Sequence, residues 1–345
     1  MFEFRDYQDL KSEKPIFLPE VGTFFNQDQN QAHALVESLV NMGVECIKGE
    51  ILHTADVALD ADFQASYYDK NAQAFKQENY RRLIERKIVS FAQYEAMFSY
   101  PTSKGLHLVF SVYDIEGADF ARSIGAKAIK VASSNLVHQP LIQYLAQSGI
   151  PTIIDTGKAH FYEIARAVEW FRQAGGRDML IEHSPVAPPA PPSEQYLSML
   201  PILQETFNCP VGLSDHYDGN EMLLAAVPLG ASILEKGVMF QSMQGEQDTA
   251  HAMTVEEVPQ VLKQIAAISE ATRYGMRPAP QATHAARMGV VAKCDLQPGE
   301  KLTLDKAQFA WPALGIPVEH WELVAGRKLR QELKLGQPIE WHMLD

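Results

Sequence analysis

Two lysines, Lys48 in Ile47-Lys48-Gly49 and Lys130 in Ile129-Lys130-Val131, each stand among apolar neighbours. An ammonium set in an apolar run is drawn into the interior, and a buried lysine needs an anion. Serines recur at comparable places, Ser111, Ser133 and Ser214. Two point charges with hydroxyl donors beside them suit a phosphate or a carboxylate. Acidic and imidazole groups complete the set: Glu20, Asp155, Glu182-His183, Ser214-Asp215-His216 and Glu235-Lys236. Carboxylates so placed can move protons, and an imidazole among carboxylates can hold a divalent ion, with oxygen-rich ligands favouring manganese or magnesium over zinc. A plainer reading exists for any one of them, that a charged residue follows a buried strand where the chain reaches water. Eight such positions in succession weaken it.

The elements that must position these residues follow from the spacing. Eight short runs precede residue 240: Ile16-Phe17-Leu18, Glu45-Cys46-Ile47, Leu108-Val109-Phe110, Ala128-Ile129, Thr152-Ile153-Ile154, Leu180-Ile181, Val211-Gly212-Leu213 and Ile233-Leu234. Between them Asn30–Met42, Gln139–Ser148, Phe161–Ala174 and Asn220–Leu229 carry apolar residues at helical spacing. Gly43, Gly125, Gly149 and Gly230 mark helix ends before the next strand. Eight βα units predict a closed (β/α)8 barrel, the TIM-barrel fold, whose strand C-termini converge on one face. The long gap from Leu52 to Leu106 predicts an excursion with a helix near Glu78–Arg86, and Pro185 to Pro192 predicts a loop.

Tyr274–His284, with Pro278 and Pro280, lacks periodicity and reads as a linker (274–284) between a barrel domain at 1–273 and a small β-rich domain at 285–345. A module that small should lean on another surface. The 345 residues are 46% hydrophobic and 21% charged, which excludes disorder. A formal net charge of −13 and the lack of a Lys/Arg-rich run argue against nucleic acid and anionic membranes as partners. No run of 18 apolar residues predicts a membrane span, and Met1 to Glu13 is too polar for a signal peptide. Cys46, Cys209 and Cys294 lie far apart, so neither a disulfide framework nor a cysteine-rich zinc site is expected, and a cytoplasmic location is.

The chain resembles the sialic acid synthase family across nearly its whole length. The resemblance is carried by Pro19-Glu20-Val21-Gly22, Ile129-Lys130-Val131-Ala132-Ser133, Val211-Gly212-Leu213-Ser214-Asp215-His216, Leu229-Gly230-Ala231-Ser232-Ile233-Leu234-Glu235, and Val290-Val291-Ala292-Lys293 with Asp295 to Glu300. It implies a barrel followed by an antifreeze-like SAF domain, and condensation of phosphoenolpyruvate with an aldose or amino-sugar to a nonulosonic acid with release of phosphate. It further implies that Lys48, Lys130, Ser111, Ser133 and Ser214 hold phosphoenolpyruvate, that Glu20 works beside the sugar, and that His216 binds a metal ion, with Glu235 a candidate to join it in an oxygen-rich site that would favour manganese or magnesium. Arg287 matches an arginine that reaches the sugar from a partner subunit, so a homodimer with the SAF domain capping the neighbouring barrel is implied as well.

The departures are as informative. The family's second metal-binding histidine is Gly237, its sixth-strand asparagine and tyrosine are Pro185 and Ala187, and its Asn-His pair after the first strand is Phe24-Phe25. Its second-strand glutamine is Glu50, its fourth-strand glutamate Asn135, and a fifth-strand hydroxyl has become Asp155, which would repel a phosphate. Glu182, His183, Asp248 and His251 are further candidates to join His216 on a metal, and Asp248 also to meet substrate. The extra acids Glu50, Asp155 and Glu182 suggest an acceptor with a free amine or several hydroxyls. Two rival readings share the fold: a metal-independent carbon–carbon bond-forming barrel with another acceptor, and a non-catalytic sugar- or protein-binding relative.

Overall fold

The computed structural model describes residues 14–185, 189–272 and 284–345. The stretch read as too polar for a signal peptide, Ala187, and all of the expected linker but His284 lie outside the described residues. The chain divides into two compact units, 1–273 and 274–345.

In the first unit eight parallel strands run in chain order: β1 Ile16–Glu20, β2 Cys46–Ile51, β3 His107–Val112, β4 Ala128–Val131, β5 Thr152–Asp155, β6 Met179–His183, β7 Val211–Asp215 and β8 Ile233–Met239. Each pairs with the next, and β8 pairs with β1 from Ile233–Ile16 to Gly237–Glu20, so the sheet closes on itself. All eight expected runs lie on these strands, except that Glu45 precedes β2 by one residue. The helix Gln29–Asn41 shows why the intervening segments coil. Asp28 caps the amides of Asn30 and Gln31, and Ala32, Leu35, Val36 and Leu39 form one buried stripe. Gly43 then takes φ +77°, a conformation that favours glycine. The helix expected over Asn220–Leu229 is shorter, Glu221–Ala226, because Pro228 has no amide hydrogen with which to continue the ladder.

The excursion contains a helix at Tyr80–Glu85, as expected, and an antiparallel hairpin, Gln64–Asp69 with Ala74–Asn79, that the sequence did not announce. Much of that hairpin is exposed, so no apolar alternation marks it.

Inside the barrel the apolar cluster of Leu18, Cys46, Val109, Ala128, Ile153, Leu180 and Ile233 draws one residue from each strand except β7. There Gly212 stands instead. A strand repeats every two residues. Two positions further along the eight strands come Glu20, Lys48, Ser111, Lys130, Asp155, Glu182, Ser214 and Glu235. An apolar tier thus supports a polar one.

In the second unit Gly289–Ala292 pairs antiparallel with Ala307–Ala310, over a core that includes Val290, Leu302, Ile316, Leu333 and Ile339. Trp321 packs edge-on against Phe309 at 5.3 Å, a core position, whereas Trp311 and Trp341 are exposed on this chain.

Candidate active site

The polar tier is a single charge network. Lys130 Nζ lies 2.8 Å from Asp155, 2.8 Å from Glu182 and 2.6 Å from Glu235, and donates to Ser214 Oγ at 3.2 Å. Ser214 in turn donates to Glu235 at 3.0 Å. Lys48 is ion-paired with Glu20 and lies 3.4 Å from Glu235, so Glu235 links the two lysines. Both ammonium groups are almost wholly buried. Burial alone would strip the Lys130 proton; Asp155, Glu182 and Glu235 outweigh it and hold its pKa well above the ordinary value. Lys48 follows the same logic, with Glu20 and Glu235 outweighing burial.

The carboxylates around Lys130 are not equivalent. Asp155 accepts from Ser184 Oγ and from the Gly157 amide at 3.0 Å. Against the upward push of burial, Lys130 and these donors bring its pKa down to about 2. Glu182 is fully buried, and beyond the Lys130 ammonium its oxygens have no hydrogen-bond donor among the described residues. Burial, then Glu235, push its pKa up to about 8. A Cβ on Gly212 would lie 2.9 Å from Glu182 Cγ, so glycine on β7 is what admits the Glu182 side chain.

One strand repeat higher, Glu50 receives a hydrogen bond from the Tyr113 hydroxyl, and burial followed by Glu20 raises its pKa to about 7. Lys87, from the excursion, is buried nearby and donates to Thr23 at 3.3 Å; its pKa is lowered by burial, which outweighs Asp248 and Glu50. Asp248 precedes the turn Thr249–His251 with φ +67°. Ser111 is buried on β3. Ser133 opens a turn after β4 and comes, with Ser184, against Gly157: a Cβ there would lie 3.2 Å from Ser133 Oγ and 2.7 Å from Ser184 Oγ. Asn135 donates to the Tyr113 carbonyl at 3.2 Å, so its amide fastens the neighbouring loop. Arg287 belongs to the second unit, where its guanidinium donates to the Ala286 carbonyl.

The expected metal ligands do not come together. His216 packs edge-to-face on His251 with centroids 4.5 Å apart, and both Nδ1 atoms are buried without a hydrogen-bond partner among the described residues. Glu235 is engaged by the two lysines and Ser214. Among the described residues no three histidine, cysteine or acidic side chains form a group able to hold a metal ion. At Gly237 a Cβ would lie 3.2 Å from Phe24 Cζ and 3.3 Å from Ala252 Cβ, so Phe24 occupies the room a side chain there would need.

The reading of Asp155 and Glu182 as acceptor contacts meets a different geometry, since both are buried against Lys130. Three features escaped sequence reasoning. Ser184 beside Asp155 was hidden by its proline neighbour, and Lys87 by its distance from any strand. Lys236, read only as a strand-end charge, bonds Asp215 at 2.8 Å and the Tyr217 and Gly219 carbonyls, which ties down the loop after β7.

Comparison with known proteins agrees with this architecture. The sequence profile of the NeuB family matches residues 35–277, and that of the SAF domain residues 287–345. An N,N'-diacetyllegionaminic acid synthase of Campylobacter jejuni is 24% identical, over 94% of this chain and 99% of that protein. A pseudaminic acid synthase of Helicobacter pylori is also 24% identical, over 94% and 96%. The solved N-acetylneuraminic acid synthetase of Leptospira borgpetersenii superposes with a TM-score of 0.68 at 21% identity, covering 79% of this chain and 90% of that one. This chain, a TIM-like barrel followed by a SAF domain, belongs to the NeuB family.

Proposed function

We propose that the barrel condenses phosphoenolpyruvate with an open-chain aldose or amino-sugar, forming a nonulosonic 2-keto acid and releasing phosphate. The observation that carries this reading is the pair of buried lysines, Lys48 and Lys130, joined through Glu235 at the strand ends of a NeuB-family barrel. Their ammonium groups neutralise the phosphate and carboxylate of phosphoenolpyruvate, while Ser111, Ser133 and Ser214 donate to its oxygens. The methylene carbon attacks the aldehyde carbon, whose oxygen becomes an alkoxide; water adds to the cation left at the enol-phosphate carbon and its proton passes on to that alkoxide; the tetrahedral intermediate then closes its hydroxyl oxygen to the ketone as the C–O bond to phosphate breaks, the hydroxyl proton leaving with phosphate. Glu20, partly exposed and bonded to Lys48, takes the proton of that water. Glu50, Asn135, Asp248 and Arg287 are assigned to the acceptor.

The manganese or magnesium ion implied by the resemblance does not fit the residues present. Among the described residues His216 has His251 against its ring and belongs to no group of three metal-ligating side chains, and the eighth-strand position is a glycine closed off by Phe24. That observation favours a second reading, in which the same carbon–carbon bond forms without a metal. The homodimer, with its SAF domain over the neighbouring barrel, and the cytoplasmic location belong to the proposal too. No helix of the described residues is long and apolar enough to cross a membrane.

The test is phosphate release from phosphoenolpyruvate against a panel of aldoses and N-acyl amino-sugars, with manganese and after exhaustive chelation. Acceptor-dependent release is expected, and release that survives chelation selects the metal-free reading. No release with any acceptor, by protein that is folded, counts against the proposal.

A further inference from the structure

We propose that phosphoenolpyruvate binds this barrel only while Glu182 carries a proton, taken up with the ligand wherever the free carboxylate has lost it, and that Glu182 so positions Lys130 for the incoming anion. The inference deepens the function proposed above and rests on it. The tier holds four acids, Glu20, Asp155, Glu182 and Glu235, against two lysines. Lys130 already touches three carboxylates within 2.8 Å, so it is not a preformed anion hole. A phosphate or carboxylate brought to that ammonium joins a cluster of like charges in a site almost closed to water, which is unfavourable unless one of them is discharged.

The identity of the proton acceptor follows from the hydrogen bonds. Beyond Lys130, Asp155 has Ser184 and the Gly157 amide and Glu235 has Ser214, while Glu20, partly open to solvent, has Lys48. Each of these loses donated bonds on protonation. Glu182 has the Lys130 ammonium alone, at 2.8 Å, and no further donor among the described residues. Facing it are Lys130 from β4, Asp155 from β5 and Glu235 from β8, with Lys48 and Glu20 beyond them on β2 and β1; β7 contributes only Gly212 and Ser214. The raised pKa of Glu182, caused by burial and by Glu235, agrees with this choice. The proton comes from solvent and joins one Glu182 oxygen. No covalent bond changes, and the Lys130 ammonium turns from Glu182 to the ligand. Glu182 thus acts through Lys130 and touches neither reacting carbon.

The experiment is calorimetric titration of phosphoenolpyruvate into the full chain at pH 9, in two buffers of different ionisation enthalpy. That pH lies above the Glu182 range and far above the second phosphate pKa near ~6, so the ligand itself has no proton to give. About one proton taken up per ligand is expected, with Kd weakening by roughly tenfold per pH unit above about 8. In Glu182→Gln, checked for folding by circular dichroism, uptake falls towards zero and Kd becomes flat with pH. A wild-type protein that binds with no proton uptake and a flat Kd from pH 7 to 9.5 overturns the inference while leaving the proposed function standing, and this arm needs no variant. Retained uptake in a folded Glu182→Gln protein overturns the assignment to Glu182. Lack of any phosphoenolpyruvate binding across that range, with folded protein, overturns the function and the inference together.

Discussion

The barrel interior holds two tiers one strand repeat apart, and they are stabilised by opposite means. The lower one, from Leu18 to Ile233, is apolar and gains by shedding water, contact by contact. The upper one places Lys48, Lys130, Asp155, Glu182 and Glu235 in nearly the same degree of burial, with no hydrophobic gain to offset their desolvation. It holds only as a set. Removing a methylene below leaves a cavity whose cost is local, whereas removing one charge above leaves its former partners uncompensated. The comparison therefore predicts that size of side chain governs mutational cost below and charge balance governs it above.

The largest effect should come from Lys130→Met. The flexible thioether replaces the lysine stem with little change of volume, yet Asp155, Glu182 and Glu235 lose their shared cation. A loss of roughly 3–5 kcal/mol in urea denaturation at pH 7.5 is expected, together with loss of phosphoenolpyruvate binding. Ile153→Ala, in the tier beneath, should cost about 2–5 kcal/mol with no dependence on pH. If the Lys130 variant proves as indifferent to pH as the Ile153 variant, the tiers do not differ in kind.

Next comes the pH dependence of stability. Glu182 keeps its proton in the folded state up to about pH 8, while an unfolded glutamate releases it near 4.5. Between those values the folded state binds more protons than the unfolded one, so this group lowers stability as pH rises through the window and not above it. Glu182→Gln should remove that slope and be more stable than wild type at pH 8.5, by on the order of 3 kcal/mol. Thermal melts from pH 5 to 9 read both the sign and the window. Asp155 acts oppositely. Its depressed pKa contributes stability that is present above about pH 4 and lost as pH falls towards 2.

Gly212→Ala links the tiers. Its methyl would sit 2.9 Å from Glu182 Cγ and 3.1 Å from the Ile233 carbonyl oxygen, and a backbone atom cannot step aside as a side chain can. A cost of about 1–3 kcal/mol is expected, with part of it returned in the double variant Gly212→Ala/Glu182→Ala. Purely additive losses would mean that glycine serves the strand pairing and not the carboxylate.

How much of this could be read from the sequence depends on what period two can express. The strands were legible because Ile16-Phe17-Leu18 or Thr152-Ile153-Ile154 bury both faces and stand out as runs. The residue that follows each run was legible as polar for the same reason. Which partner each would choose was not, since the contacts of Lys130 span four other strands and depend on barrel closure. Asp155 could be read as repelling a phosphate; that Lys130 would draw it inward could not. Phe24 was visible only as a substitution, and its packing against Gly237, more than 200 positions later, is purely tertiary.

The smallest stability effect tests that last contact. Gly237 lies on β8 in register with Glu20, and a methyl there would approach Phe24 Cζ to 3.2 Å and Ala252 Cβ to 3.3 Å, both ends of side chains that can give slightly. Gly237→Ala should therefore cost only about 1 kcal/mol in a thermal or urea melt. Gly237→His should cost more in the wild-type background than beside Phe24→Ala, because an imidazole needs the volume the phenyl ring fills. The double variant then asks whether volume alone excludes a metal from this corner. Manganese binding by Gly237→His/Phe24→Ala, where Phe24→Ala alone shows none, would place the obstacle in that one aromatic contact. If neither binds, the pairing of His216 with His251 has already committed the remaining imidazole to packing, and this corner belongs with the tier that is held by contact instead of charge.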